Sequence, residues 1–302
     1  MLQKFDKRNS KIKIFIGGKL YKREDAKVSV FDSSVQGGDA VWEGLRVYRG
    51  NIFCFDKHVN RLRESASTLA FADIPDFNYI RASVFKTLKV NKMRDGVHIR
   101  LTLTRGEKIT SGMDPRLNTK GSCLIVLAEW KNPVYDNNRG VKLVTSHIRR
   151  NSPSFLDSKI HHNNLLNNIL AKIQANEFGA DDALMLDERG FVAETNATNL
   201  FMVKDGILFT PDALSCLPGI TRGIVLDIAE SLGLKTVVRD ISLSEFYNAD
   251  EVFTSGTMGE LTPVYEIDGR KIVNKNKSAV LNFLKREYDK MKYLSGEKIP
   301  EY

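Results

Sequence analysis

Long apolar runs are missing from this chain of 302 residues. Its apolar stretches are a few residues long, and a charge interrupts each one far short of the roughly 20 residues that a bilayer-crossing helix needs, which excludes a helical membrane span. The first residues, Met1 to Arg8, carry early charge and neither an apolar core nor a small-residue cleavage site. No secretory leader is therefore expected, and the cytoplasm is the expected compartment. Cysteine is scarce as well: the 3 present, Cys54, Cys123 and Cys216, are far apart and odd in number. That argues against a disulfide framework or a CxxC metal site and leaves buried free thiols as the expectation, with no metal. The formal net charge is +8, but Lys and Arg are dispersed among acids, and no RNP, zinc-finger or basic-helix pattern occurs. The basic surplus reads as a solvated surface with a small share in phosphate and carboxylate recognition; a basic nucleic-acid-binding protein is the rival from another class. Internal repeats and low-complexity segments are absent.

What is present is an apolar content of 42%, ample for a folded protein, in a chain longer than a single core usually serves. Two domains are the default expectation. The first half reads as short strands with turn punctuation. Ile12, Ile14 and Ile16 alternate before Gly17-Gly18, a hairpin signal, and a polar turn precedes Val28-Ser29-Val30. Leu62, Ala66, Leu69 and Ala70 recur at helical spacing between His58 and Ala70. From His98 to Thr104, Ile99, Leu101 and Leu103 alternate with His98, Arg100, Thr102 and Thr104, giving a strand with one polar face, and a second strand follows at Ser122 to Leu127. The Pro/Asn/Gly-rich stretch after Lys131 marks a boundary, dividing the chain into a small N-terminal domain at 1–131, a connecting loop at 132–139 and a larger domain at 140–302.

In the larger domain, Leu165, Ile169, Ala171 and Ile173 suggest a helix and Ala183 to Leu186 a buried strand. Asp187 to Gly190 turns into Phe191 to Thr195, and Lys204-Asp205-Gly206 turns a second hairpin. Ile220 to Leu232 is a helix with Ile224, Val225, Ile228, Ala229 and Leu232 on one face, stopped by Gly233. A last helix runs from about Ser278 to Met291 on Val280, Leu284 and Met291.

Several segments carry polar residues at telling places. Lys159 precedes an asparagine-rich run, Asn163-Asn164-Leu165-Leu166-Asn167-Asn168. Glu194 to Phe201 reads Glu-Thr-Asn-Ala-Thr-Asn-Leu-Phe. Leu217-Pro218-Gly219-Ile220-Thr221-Arg222 opens a helix, where free backbone N–H groups and the positive dipole end favour an anion. Thr254 to Val264 is a Ser-Gly-Thr loop ending in Leu-Thr-Pro-Val. Each has an ordinary reading by itself: a solvated lysine, a strand-edge carboxylate, a helix start, a loop. In this order they resemble the fold-type IV pyridoxal-phosphate enzymes, the family of branched-chain and D-amino acid aminotransferases. Phe55 to Leu62 is similar to that family's H-x-x-R-L segment, and Trp42-Glu43-Gly44-Leu45-Arg46 to its [FW]-E-G-[IL]-R segment. The resemblance runs from about residue 28 to 266.

The resemblance implies an α/β (α+β) fold of two domains, a smaller N-terminal α/β domain and a larger β-barrel-like domain with helices, and pyridoxal 5'-phosphate as cofactor. Lys159 would bond the cofactor covalently and move the proton at the substrate α-carbon, and Glu194 would pair with the pyridine nitrogen. Arg61, the amides of Ile220 and Thr221 with the Thr221 hydroxyl, and Thr257 would hold the phosphate, with Asn199 part of the Glu194 motif. Trp42, His98, Arg100, Arg105, Thr257 and Met258 would meet the substrate. An odd separation puts Arg100 and Arg105 on opposite strand faces unless a bulge intervenes. The adjacent His161-His162 reads as packing or hydrogen bonding near the lysine, since no ligand partner stands at metal spacing.

Two features depart from the family pattern. Lys159-Ile160-His161-His162-Asn163-Asn164 puts asparagine where the branched-chain enzymes carry the tyrosine that faces the cofactor's phenolic oxygen, which makes Asn164 the candidate there; aligned instead on Asn164 to Asn168, the chain has two extra residues after the lysine. His98-Ile99-Arg100 keeps an arginine but not the tyrosine two residues before it. Ping-pong transamination between a branched-chain L-amino acid and 2-oxoglutarate is the expectation, in a homodimer. Thr104-Arg105-Gly106 keeps D-amino acid transamination and aminodeoxychorismate cleavage open beside it.

Overall fold

Gly17 and Gly18, with φ of 53° and 94°, make the left-handed turn that the first hairpin requires, and the strands on either side, β1 (Lys13–Ile16) and β2 (Lys19–Lys22), pair antiparallel. The structure is a computed structural model that describes residues 3–272 and 279–301. It folds as two units. One contains the chain up to Asn132 with Ile160–Asn164 and the segment from Lys292; the other contains Pro133–Lys159 and Leu165–Met291.

In the first unit the short helix α1 (Ser33–Gly37) precedes β3 (Ala40–Tyr48), β4 (Asn51–Phe53), α2 (Phe55–Thr68), α3 (Phe77–Val90), β5 (Val97–Thr104) and β6 (Cys123–Trp130). Val28 to Val30 is loop, with both valines exposed. Leu62 and Ala66 of α2 are buried as their spacing predicts, whereas Leu69 and Ala70 lie just beyond the helix end. β3 and β5 pair along their whole length, with Gly44 opposite Arg100 and Arg46 opposite His98. Because side chains alternate across a strand, Leu45, Val47, Ile99, Leu101 and Leu103 form one buried face with Leu62 and Ala66, while Trp42, Arg46, His98 and Arg100 share the other. Along β3, β4 covers only Val47 and Tyr48. Ile160–Asn164 covers the other end of that β3 edge: Trp42 N donates to His161 O (2.9 Å) and Asn163 N to Ala40 O (2.8 Å).

In the second unit a sheet of nine strands runs in the order β12-β11-β10-β13-β14-β7-β8-β9, with β15 beside β14. Its elements, in chain order, are β7 (Val141–Thr145), α4 (Leu166–Glu177), β8 (Asp182–Leu186), β9 (Val192–Thr195), β10 (Asn199–Lys204), β11 (Ile207–Thr210), α5 (Ile220–Ser231), β12 (Thr236–Val238), α6 (Leu243–Tyr247), β13 (Glu251–Gly256), β14 (Glu260–Ile267) and β15 (Arg270–Lys271). The end strand β9 turns straight back into the central β10 through Thr195–Thr198, so the sheet curls on itself. β7–β8 and β11–β12 are parallel pairs. A parallel pair cannot be joined by a tight turn, so α4 and α5 serve as crossovers, and both the Lys159 segment and the Ile220–Thr221 helix start belong to these connections. Asp205 and Gly206, with φ of 50° and 76°, turn the β10–β11 hairpin.

The chain closes with α7 (Ala279–Leu294) and β16 (Gly296–Lys298), which pairs with β4. The expected start of α7 at Ser278 lies outside the described residues. Its buried stripe is Leu281, Leu284 and Tyr288, so the expected Val280 and Met291 sit beside the stripe and not in it. The Glu251 carboxylate fixes that rotation by accepting from Val280 N (3.1 Å) and Leu281 N (2.9 Å). Helix α4 also turns differently from its spacing: Ala171 and Ala175 are inside, while Leu166, Ile169, Leu170 and Ile173 are 65%, 50%, 50% and 49% exposed. No helix among the described residues is long and apolar enough to cross a membrane.

Candidate active site

Within the second unit the curl of the sheet brings Glu194 on β9, Asn199 on β10 and the start of α5 together. The Glu194 carboxylate is buried and accepts from Arg150 Nε (2.6 Å), a charge-assisted bond, and from Asn199 Nδ2 (3.2 Å). Asn199 Nδ2 also donates to Leu217 O (2.9 Å), tying the carboxylate to the loop that opens α5. Gly219 caps α5 with extended backbone and no side-chain cap bond. A Cβ there would lie 2.0 Å from Asn199 Oδ1, so only glycine lets the loop come this close. The first-turn amides of Ile220 and Thr221 are thereby presented at a helix N-terminus, with Thr221 buried.

Thr257 and Met258 occupy the tight turn between β13 and β14, where Gly256 pairs with Glu260. The segment from Val134 to Asn137 holds this turn. Val134 N donates to Met258 O (3.0 Å) and Thr262 Oγ1 to Asn137 Oδ1 (2.7 Å). The Tyr135 ring lies against Gly259, where a Cβ would meet it at 2.7 Å. The Tyr135 hydroxyl donates to Asp182, and burial together with that carboxylate pushes the phenol well above its ordinary pKa. Just before the turn, the hydroxyls of Thr254 and Ser255 are buried without a hydrogen-bond partner. Lys159 ends the segment that begins at Arg150; its backbone N–H donates to Asp157 Oδ1 (2.9 Å) and its side chain is exposed.

The first unit holds a second constellation. Glu43, fully buried on the core face of β3, accepts from Arg61 Nε (2.7 Å) and Nη2 (2.8 Å), and its oxygens meet His58 Nδ1 (2.6 Å) and His161 Nδ1 (3.0 Å). Burial by itself raises the carboxyl pKa, but His161 and the Arg61 guanidinium outweigh it and hold Glu43 well below its ordinary value. On the other face of β3, the Arg100 guanidinium lies 3.9 Å from the centre of the Trp42 ring and donates from Nη2 to Asn163 Oδ1 (2.9 Å). His98 shares that face. Burial, reinforced by Lys131, Arg46 and Arg100, lowers its pKa to about 3, so it is a neutral imidazole at physiological pH.

Trp42, His98 and Arg100 are therefore neighbours, and Arg105 stands apart from them. Its donors go to Asp39 (2.6 and 3.1 Å), Leu69 O (2.7 Å) and Ala70 O (3.1 Å), which fasten the end of β5 to the loop after α2. Asn164 is exposed beside Gly38, where a Cβ would meet its backbone at 3.6 Å. His161 and His162 are in extended chain, and among the described residues no group of His, Cys, Asp and Glu could hold a metal ion. Sequence reasoning missed Arg150, Asn163 and Tyr135. The basic pair Arg149-Arg150 ahead of Lys159 was the one available hint of a charge partner; for Asn163 and Tyr135 the partners are too distant along the chain to signal contact.

The model of the class IV amino-transferase family matches residues 40–267. The chain is 56% identical over 294 residues to branched-chain-amino-acid aminotransferase-like protein 2 of Arabidopsis thaliana, covering 97% of this chain and 53% of that protein. It thus spans about half the length of that relative. It is also 32% identical over 284 residues to a branched-chain-amino-acid aminotransferase of Pseudomonas aeruginosa, covering 91% of each. Among solved structures, the Escherichia coli branched-chain amino acid aminotransferase superimposes with a TM-score of 0.87 at 27% identity, over 95% of this chain and 96% of that one. A branched-chain amino acid aminotransferase complexed with N-(5'-phosphopyridoxyl)-L-glutamate, from the organism abbreviated T.th., superimposes with a TM-score of 0.85 at 32% identity, over 93% of each chain. With the family model matched from β3 to the end of β14, and with relatives of this identity along nearly its whole length, the chain belongs to the class IV aminotransferases.

Proposed function

We propose that the protein is a pyridoxal-phosphate-dependent aminotransferase that exchanges an amino group between a branched-chain L-amino acid and 2-oxoglutarate by ping-pong chemistry. The observation that carries this reading is the Glu194–Asn199–Gly219 arrangement, which ties a buried, arginine-paired carboxylate to an uncapped helix N-terminus. A carboxylate acceptor beside free amide donors suits a group with a cationic ring nitrogen at one end and a phosphate at the other. The unpartnered buried hydroxyl of Ser255, opposite Asn199 and on its side of the sheet, fits such a polar occupant as well.

In this reading the amides of Ile220 and Thr221, the hydroxyls of Thr221 and Thr257, and Arg61 hold the phosphate. Glu194 accepts a hydrogen bond from the protonated ring nitrogen, with Asn199 and Arg150 fixing its orientation. Lys159 would hold the cofactor through Nζ, and the same amine would carry the proton at the substrate α-carbon. Bound cofactor supplies the electron sink for that proton transfer. Asn164 is assigned to the phenolic oxygen, and Trp42, His98, Thr257 and Met258 to the substrate.

We place recognition of a second substrate carboxylate on Arg100. It is half-buried, with its pKa lowered by desolvation, and no carboxylate among the described residues pairs with it. A dicarboxylic partner such as glutamate or 2-oxoglutarate supplies that charge. Arg105, already engaged by Asp39 and two carbonyls, gives no such support to the D-amino acid or aminodeoxychorismate readings. The exposed apolar stripe of α4 supports a homodimer.

Substitution Lys159→Ala tests the assignment. The purified protein should show a visible band of lysine-bound cofactor that the variant lacks, and transfer from L-leucine to 2-oxoglutarate should fall by about 10⁴-fold or more. Retention of both in the variant would remove Lys159 from the mechanism. Faster turnover of D-alanine or aminodeoxychorismate than of L-leucine by the parent protein would overturn the substrate.

A further inference from the structure

We infer that His161 is a positioning residue that sets two arginines at once, Arg61 through Glu43 and Arg100 through Trp42. The inference rests on the reading just given, in which Arg61 meets the cofactor phosphate and Arg100 a substrate carboxylate.

The Arg61 guanidinium lies side-on against Glu43, with Nε and Nη2 at 2.7 and 2.8 Å from its two oxygens. Its orientation is therefore fixed by the orientation of that carboxylate. Glu43 has no freedom of its own if both oxygens are held from other directions, and His58 on Oε2 (2.6 Å) and His161 on Oε1 (3.0 Å) hold them. His58 belongs to the same helix as Arg61. His161 does not: it arrives from the segment just after Lys159 and brings an independent anchor.

The same imidazole lies against Trp42, with ring centres 4.3 Å apart, and Trp42 in turn carries the Arg100 guanidinium at 3.9 Å. The Asn163 amide, two residues after His161, accepts from Arg100. His161 itself is fastened at both backbone groups, donating from N to Ser65 Oγ (3.1 Å) and accepting at O from Trp42 N (2.9 Å). One imidazole thus touches the carboxylate that aims Arg61 and the indole that supports Arg100. Neighbouring segments of strand β3 supply both contacts, because Trp42 and Glu43 are consecutive.

The test compares His161→Ala, His161→Gln and Arg61→Ala in the holoenzyme. Cofactor retention is followed by loss of the visible band on dialysis against inorganic phosphate, alongside KM and kcat for 2-oxoglutarate. His161→Ala should weaken retention about tenfold, the size expected for one buried hydrogen bond to a charged group, and raise KM for 2-oxoglutarate by a similar factor with kcat within about threefold. His161→Gln restores a donor to Glu43 but not the imidazole against the indole, so it should recover retention and leave KM raised. If Arg61→Ala keeps the cofactor as the parent does, the underlying phosphate assignment fails. If Arg61→Ala loses it while His161→Ala changes neither retention nor KM beyond twofold, the positioning role is wrong. A thermal midpoint for each variant separates both outcomes from misfolding, and a His161→Gln protein that folds but recovers nothing also overturns the inference.

Discussion

Glu43 and Glu194 are both almost inaccessible carboxylates with an arginine Nε within 2.7 Å, one in each unit. Their surroundings differ. The side chains that meet Glu43 are guanidinium and imidazole, and its neighbours on the same strand face, Val41, Leu45 and Val47, are core. Glu194 has a short bond to Arg150 and longer ones to Asn199 Nδ2 (3.2 Å) and Leu217 N (3.5 Å), which lie at the mouth of helix α5. Burial and an arginine partner do not by themselves distinguish a carboxylate that supports from one that reacts. What surrounds the pair does, because a carboxylate enclosed in core can only orient its partner, while one beside open helix amides can share a ligand with them.

The largest expected effect breaks that contrast directly. Glu43→Gln leaves the Arg61 guanidinium buried against a neutral amide, and removing one member of a buried pair costs about 3–5 kcal/mol. Its urea midpoint should fall accordingly. Glu194→Gln leaves the buried Arg150 guanidinium against a neutral amide in the same way and should cost a comparable amount, yet it should also reduce kcat by about 10²-fold or more. A Glu194→Gln protein with unchanged kcat, or a Glu43→Gln protein as stable as the parent, would erase the distinction between the two sites.

The same contrast explains what was legible in the chain. Glu194, Asn199, Gly219–Thr221 and Thr257 lie in short contiguous motifs, since backbone turns and helix starts are local devices and leave local patterns. The hairpins at Gly17-Gly18 and Asp205-Gly206 were legible for the same reason. The Glu43–His161 contact joins residues 118 positions apart, and nothing near either one announces the other. Arg150 and Glu194, 44 positions apart, are no different. Periodicity failed in a second way at α4 and α7. Spacing shows which residues share a helix face but not which way the helix turns, and small residues in α4 and the Glu251 cap in α7 decided that.

A pH titration gives the next, intermediate effect and belongs to the first unit alone. His98 has its pKa lowered from 6.5 to about 3, by burial first and then by Lys131, Arg46 and Arg100. An unfolded chain takes up this proton near pH 6.5, while the folded chain refuses it until about pH 3. Stability contributed by neutral His98 is therefore complete above the unfolded value and is lost as pH falls through this window. At pH 5 the loss amounts to about 2 kcal/mol, from about 1.36 kcal/mol per pH unit. His98→Gln removes this part of the slope, so the difference between parent and variant should shrink or reverse as pH drops from 7 to 5. Parallel stability curves would mean that His98 is protonated in the folded protein, and that the cationic face around it tolerates another charge.

The smallest effect on the fold should come from α4, and it sharpens the comparison because it concerns a surface and not a buried pair. Leu166, Ile169, Leu170 and Ile173 recur at helical spacing and are each about half exposed or more, although Ala171 and Ala175 satisfy the core behind them. A stripe of this kind costs little to change within one copy, since surface substitutions away from special features stay within about 0.5 kcal/mol. Between two copies the balance is different, because a charge placed in an apolar interface must be desolvated without a partner. Leu170→Lys should therefore leave the unfolding midpoint of dilute protein nearly unchanged while shifting sedimentation from dimer to monomer. A variant that stays dimeric places the interface elsewhere on the chain. A variant that loses several kcal/mol at dilutions where the parent is monomeric would show that Leu170 packs within its own copy, against the exposure seen in α4.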